Sequence, residues 1–254
     1  MRKWYFVVVM ALLPVWIATS AQAHMFWLNA SEYAPEAGET IWIELGFGHK
    51  YPRDEIVKEG RLDRVYALDP KGEELPVEQI FPSFYKFTPK TKGAHQIIAV
   101  LKPGFVSRTA DGHKLGNKKD FPDAPYCFAF RMSAKTLITV GGKKEDVSQT
   151  TQNPVEILAM TSPADLKVGD TLPLKVVFQG KPLAGASVSG TYAGFLGDEE
   201  HHWAQEAETN ADGLVQIKLT SKGPWLFTTT HKESYPDKAE CDDYSYRASL
   251  TVGF

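Results

Sequence analysis

"GKPLAGASVSG" (residues 180–190) and "TNADGLVQIKL" (residues 209–219) decide the fold class. Each couples a glycine-marked turn to a short run in which apolar and small polar residues alternate, the period of a half-buried strand. Alternating or β-branched runs recur around them at 155–159, 171–178, 186–192, 214–220, 225–231 and 246–252. "KVGD", "QGKPLAG", "NADG" and "SKGP" separate most of them with turn chemistry. Six short strands at near-regular spacing predict an antiparallel sandwich. The first half repeats the pattern at 25–29, 40–47, 64–68, 95–101 and 128–140, with "IWIELGF" (41–47) alternating well. Residues 104–125, charged and rich in Gly and Pro, are expected to form a long loop. Helical periodicity is nearly absent.

"GKPLAGASVSG" followed by "TNADGLVQIKL" resembles the prealbumin-like and immunoglobulin-like β-sandwich modules of exported proteins; the resemblance extends over about 80 residues around these motifs and concerns fold alone. The chain therefore reads as all-β, with two antiparallel β-sandwich domains. A leader occupies 1–23 and an N-terminal sandwich 24–143; a C-terminal immunoglobulin-like or prealbumin-like sandwich occupies 154–254. The polar, glycine-led and proline-ended "GGKKEDVSQTTQNP" (141–154) is the expected connection.

Met1, Arg2 and Lys3 precede an apolar run from Trp4 to Ile17, and Ala21-Gln22-Ala23 closes it with small residues at −3 and −1. That is the layout of a secretory signal, and Pro14 interrupts a run too short for a spanning helix. Cleavage after Ala23 is expected to export the protein to the periplasm. Losing two cations takes the formal charge of −3 to about −5, which gives no electrostatic reason to bind nucleic acid or anionic lipid. No second long apolar run follows, so the mature chain is not expected to span a membrane. Cys127 and Cys241 are the two cysteines; in an oxidising compartment they either bridge the two halves or remain as buried thiols.

The seven histidines carry the candidate chemistry. Trimming after Ala23 would make His24 the first residue, with an imidazole and an α-amine of pKa about 7.7–8.0 on one residue. Together they chelate a metal with little folding cost. A third nitrogen would complete a histidine brace, an arrangement suited to copper(II) and less selectively to nickel(II). His49 sits in "GFGHKYP" (46–52), where a strand ends among glycines. His231 closes "GPWLFTTTH" (223–231), on the same strand face as Trp225 and Phe227. His201 and His202 lie in "GDEEHHWAQE" (197–206) beside Asp198, Glu199 and Glu200; adjacent strand residues point to opposite faces, so only one of the pair is expected to be a ligand. His95 and His113 are read as structural or surface residues. Trp27, Trp42, Trp203 and Trp225 either stack on sugars or fill sandwich cores. No Gly-X-Ser-X-Gly, phosphate loop or dinucleotide fingerprint appears, and no enzymatic role is assigned.

Beyond the leader, "AHMFWLN" (23–29), "GHKYP" (48–52), "GKPLAGASV" (180–188), "ADG" (211–213), "GPWLFTTTH" and "YRASLTVGF" (246–254) together resemble a family of bacterial exported proteins described as periplasmic components of cobalt or nickel uptake systems. The resemblance spans essentially the whole mature chain. It implies a two-domain all-β protein that captures Ni2+ or Co2+ and passes it to membrane metal-transporter subunits; the nitrogen donors themselves leave Cu2+ as the alternative. Carried over residue by residue, it places His24 and His49 in the early motifs and His231 in the late one. The "DEEHH" segment and Cys127 have no counterpart in it. Two other classes remain open: a copper histidine-brace oxygenase acting on polysaccharide, and a metal-free tandem sandwich for binding or adhesion.

Overall fold

The computed structural model describes residues 24–142, 147–197 and 203–254. The leader at 1–23 and the "DEEHH" segment with His201 and His202 lie outside the described residues. The strands of the first half are β1 (Met25–Ala30), β2 (Ile41–Gly48), β3 (Leu62–Leu68), β4 (Glu74–Pro76), β5 (Glu78–Phe81), β6 (Phe84–Phe87), β7 (Gly93–Leu101), β8 (Gly104–Thr109), β9 (Gly112–Leu115) and β10 (Tyr126–Val140). Those of the second half are β11 (Val155–Ala159), β12 (Thr171–Phe178), β13 (Lys181–Pro182), β14 (Ser187–Tyr192), β15 (Gln205–Glu208), β16 (Leu214–Lys218), β17 (Trp225–Ser234) and β18 (Asp243–Val252). One turn of 3-10 helix, Pro163–Asp165, interrupts them. No helix among the described residues is long and apolar enough to cross a membrane.

Three sheets form. β1-β2-β6-β5 is one, and β12 pairs with β11, β13 and β16 in another. Between them runs a ten-stranded sheet ordered β15-β14-β17-β18-β10-β7-β3-β4, with the β8–β9 hairpin attached to β10. The pairing that unites the halves is parallel: β10 and β18 align over nine residue pairs, Phe128 opposite Asp243 through Thr136 opposite Thr251. Alternation along these two strands gives the central sheet two buried faces. Phe130, Met132, Ala134 and Ile138 enter a core with residues of β1, β2 and β7. Tyr246, Ala248, Leu250 and Val252 enter a second core with residues of β11, β12 and β16. The two cores thus lie on opposite sides of one shared layer.

β1 shows why "MFWLNA" lacks strict alternation. Phe26, Leu28 and Ala30 point into the first core. Met25 and Trp27, on the other side, meet Leu226 of β17, with Tyr51 and Trp203 packed around them. Residues 104–125, expected as a loop, instead begin with the β8–β9 hairpin, because 104–108 pair with Tyr126–Phe130 and satisfy their backbone groups there.

Cys127 and Cys241 are bonded, with both residues fully buried. Beside the bridge, the Cys127 amide donates to Asp242 Oδ2 at 2.8 Å, and Lys118 Nζ lies 2.6 Å from Asp242 Oδ1. Asn117 Nδ2 donates to Glu240 Oε1 at 3.0 Å. The loop before β10 is thereby fastened to the loop before β18. Because the bridge closes a separation of 114 residues, replacing both cysteines by serine is expected to destabilise the protein by about 2–4 kcal/mol. Urea unfolding of the variant against the oxidised parent measures this; coincident midpoints would show the bridge to be energetically idle.

Candidate functional site

The site grows from the register of β1 on β2. Met25 stands opposite Gly48, so one residue further along the antiparallel ladder His24 comes to face His49. Their ring centroids are 4.2 Å apart and tilted by 49°. The His24 ring also stacks on Phe47 at 5.1 Å.

The segment bearing His49 is held at both ends and from below. Phe47 and Glu55 exchange backbone hydrogen bonds of 3.2 and 2.8 Å, closing the loop between them. Within it, Asp54 Oδ2 accepts from the amides of His49 at 2.7 Å and Lys50 at 3.1 Å. These donors hold the Asp54 carboxyl below its usual range. The Pro52 carbonyl accepts from Trp27 Nε1 at 2.9 Å and Asn29 Nδ2 at 3.0 Å, so β1 grips the loop through its own side chains. The Tyr51–Pro52 peptide is cis, and Tyr51 meets the Trp27 ring edge-on at 5.9 Å. Two glycines make this approach possible. A Cβ on Gly46 would fall 2.2 Å from the Trp27 indole; one on Gly48, whose φ is +127°, would fall 2.4 Å from Asp54 Oδ2.

Electrostatics favour a neutral imidazole at His24. Burial lowers its pKa, and the neighbouring His49 lowers it further; Glu55 opposes both, with its Oε1 3.6 Å from His24 Nε2. The ring therefore keeps a free lone pair near neutrality. The His24 carbonyl accepts from Arg247 Nη1 at 3.2 Å. The arrangement offers two imidazoles, one carboxylate at their side, and an open face: the His24 side chain is 46% exposed. Among the described residues, no group of three or more His, Cys, Asp and Glu side chains is placed to hold a metal ion. Two adjacent imidazoles and the Glu55 carboxylate are the donors that this open face offers.

His231 stands elsewhere. It pairs with Tyr246 across β17 and β18 and packs on Phe178 at 4.4 Å, on the side of the second core. Thr228 and Thr230, which point the other way along β17, line a cleft of about 220 Å3 with His24. The central sheet therefore separates His231 from the His24–His49 pair. Its alternation was readable from the sequence; the presence of cores on both faces was not. Trp203, next in sequence to His202, lines the same cleft as His24. His95 is fully buried, its Nδ1 3.2 Å from the Gly93 carbonyl and its Nε2 3.2 Å from Thr91 Oγ1. His113, read as a surface residue, stands exposed on β9 and lines a groove of about 450 Å3 that also reaches His24 and His49. Sequence spacing carries no sign of that convergence, because it depends on β8–β9 folding back along β10.

Residues 21–233 match the family model described as "Domain of unknown function (DUF4198)". No curated protein matches the chain. Solved structures that resemble it include the D00-D0 domain of intimin, at 14% identity and a TM-score of 0.22, covering 91% of this chain and 100% of that one. The fibronectin(III)-like modules of Clostridium thermocellum CbhA match at 12% identity and a TM-score of 0.21, covering 89% and 94%. Elastase-activated Escherichia coli alpha-2-macroglobulin matches at 13% identity and a TM-score of 0.22, covering 91% of this chain and 20% of that one.

Proposed function

The chain belongs to the DUF4198 family, and within it we propose an exported protein that captures a divalent transition metal, nickel or cobalt, for delivery to membrane transporter subunits. One observation carries the proposal: a loop fixed by Trp27, Asn29 and Asp54 holds the His49 ring 4.2 Å from that of His24. Such investment in placing two imidazoles side by side suits a metal ion, since each supplies one borderline nitrogen donor. Trimming after Ala23 adds the α-amine of His24 to the set. Glu55 is the oxygen donor at hand, and His201 or His202 is the proposed further ligand. The buried Cys127–Cys241 bridge supports an oxidising compartment such as the periplasm.

Copper is the second metal considered, because an α-amine with two imidazoles is the donor set of a histidine brace, and divalent affinity rises from cobalt through nickel to copper. Selection of nickel or cobalt then depends on supply and geometry. The test is to purify the exported protein, determine its N-terminus by mass spectrometry, and titrate it calorimetrically with Ni2+, Co2+ and Cu2+. A mature chain starting at His24 that binds one ion per molecule is the expected result. A different N-terminus, or a melting temperature indifferent to both metal and chelator, would sink the proposal.

A further inference from the structure

The groove beside the imidazole pair is charged against the character of the chain. The protein is net acidic, with 31 Asp and Glu against 28 Lys and Arg. Yet Lys58, Arg61, Arg108, Lys114 and Arg247 all line this one groove, and among the described residues Glu55 is its single carboxylate. Among the described residues, none of the five cations lies within 4.0 Å of a carboxylate oxygen.

Three of the five are fixed by neutral partners. The Arg61 guanidinium lies 5.3 Å from the Phe47 ring centroid and 5.8 Å from that of Phe130. Arg247 lies 5.3 Å from the Phe128 centroid, while its Nε donates to Ser245 Oγ at 3.2 Å. Arg108 lies 5.1 Å from the Tyr126 centroid. Aromatic faces hold these guanidinium groups in place without neutralising them. Arg247 spends Nη1 on the His24 carbonyl, whereas among the described residues no acceptor takes the guanidinium N–H donors of Arg61 or Arg108, which keep the planar fork that matches a carboxylate.

A bare divalent cation approaching His24 and His49 through this groove meets charge of its own sign. A ligand bearing several carboxylates meets complementary charge, and about 450 Å3 accommodates a small one. We propose that the groove binds a small polycarboxylate anion, seated beside the imidazole pair so that a metal chelated by it is presented to His24 and His49. The inference rests on the metal proposal only for what the anion carries; the anion site stands on the charge of the groove.

Calorimetry with citrate alone, Ni2+ alone, the 1:1 nickel–citrate complex and inorganic phosphate tests it. The arms are repeated on the double variant Arg108→Gln/Lys114→Gln, whose positions are exposed and lie outside both cores. The expected results are citrate binding that weakens as NaCl is raised, and nickel–citrate bound about tenfold tighter than Ni2+. The double variant should lose about tenfold in citrate affinity while Ni2+ alone binds no more weakly. Citrate that merely strips nickel from the protein, or an unaffected double variant, overturns the anion site and leaves the metal proposal standing. Phosphate binding as tightly as citrate overturns the polycarboxylate assignment. Citrate bound with no affinity for nickel keeps the anion site and removes the metal proposal.

Discussion

Alanine at both His24 and His49 is expected to abolish measurable nickel binding, and alanine at either one to weaken it by about 100-fold, equivalent to about 2.7 kcal/mol. The basis is the scale of effects around metal sites: losing a residue that only orients a ligand costs about 10–100-fold, so losing a nitrogen donor belongs at the upper end or beyond. His231→Ala is the matched control. His231 lies across the central sheet from the pair, so the affinity should be unchanged. A comparable loss from His231→Ala would mean that the pair is not the binding site. The pH dependence has a definite sign. Burial and His49 lower the His24 pKa, so its lone pair stays available at neutrality and is lost only as the pH falls below the ordinary imidazole range of about 6.5. Nickel affinity measured from pH 8 downward should fall gradually as the His24 α-amine takes up its proton, and more steeply once the His24 ring protonates as well. The same ring, being easier to protonate in the unfolded chain, makes its contribution to stability above the unfolded pKa and loses it on acidification.

Glu156→Ala is expected to destabilise the protein by about 3–5 kcal/mol. Lys135 on β10 and Glu156 on β11 are 8% and 4% exposed, with Nζ 3.6 Å from Oε2. They join the central sheet to the β11–β12 sheet across the second core. Glu156 also accepts from the Thr151 amide at 2.8 Å and from Thr151 Oγ1 at 2.7 Å. Burial lowers the Lys135 pKa, and Glu156 is the charge that opposes this. Removing the carboxylate leaves a buried ammonium with no counter-charge and two unpaired donors. The informative comparison is Lys135→Met/Glu156→Leu, which removes both charges and should recover most of the loss, because a buried pair repays little more than its own desolvation. Chemical denaturation of the two variants measures the contrast. Equal stabilities would show that the ammonium finds other solvation.

Much of the fold was legible because long strands with a buried face announce themselves by alternation. Every run read as a strand lies within one or overruns it by at most two residues, from "IWIELGF" in β2 to "YRASLTV" in β18. The omissions include short edge elements such as β4 and β5, "ELP" and "EQIF", whose polar and proline residues resemble turns, and the four-residue β6, "FYKF", too short to show a period. The β8–β9 hairpin was hidden for the same reason, since "GHKL" is exposed throughout. The Cys127–Cys241 pairing stayed open because it follows from a parallel contact between β10 and β18, and parallel pairing leaves no local mark. His24 and His49 were both legible as donors, but their proximity comes from the antiparallel register. The cationic wall was not legible, because Arg61, Arg108 and Arg247 are far apart in sequence and each looks like an ordinary surface charge.

The parallel seam between β10 and β18 also constrains how any cargo leaves. Both strands help to floor the groove, through Phe128, Phe130 and Met132 on one side and Arg247 on the other. Swinging the two halves apart like a clamshell would sever that ladder and strain the disulfide beside it. Under the proposed delivery role, release without a hinge would leave two routes: protonation of the imidazoles, or a competing chelator on the receiving protein that strips the ion through the open face. On that proposal, unloading would depend on the receiver's affinity rather than on a movement of this protein.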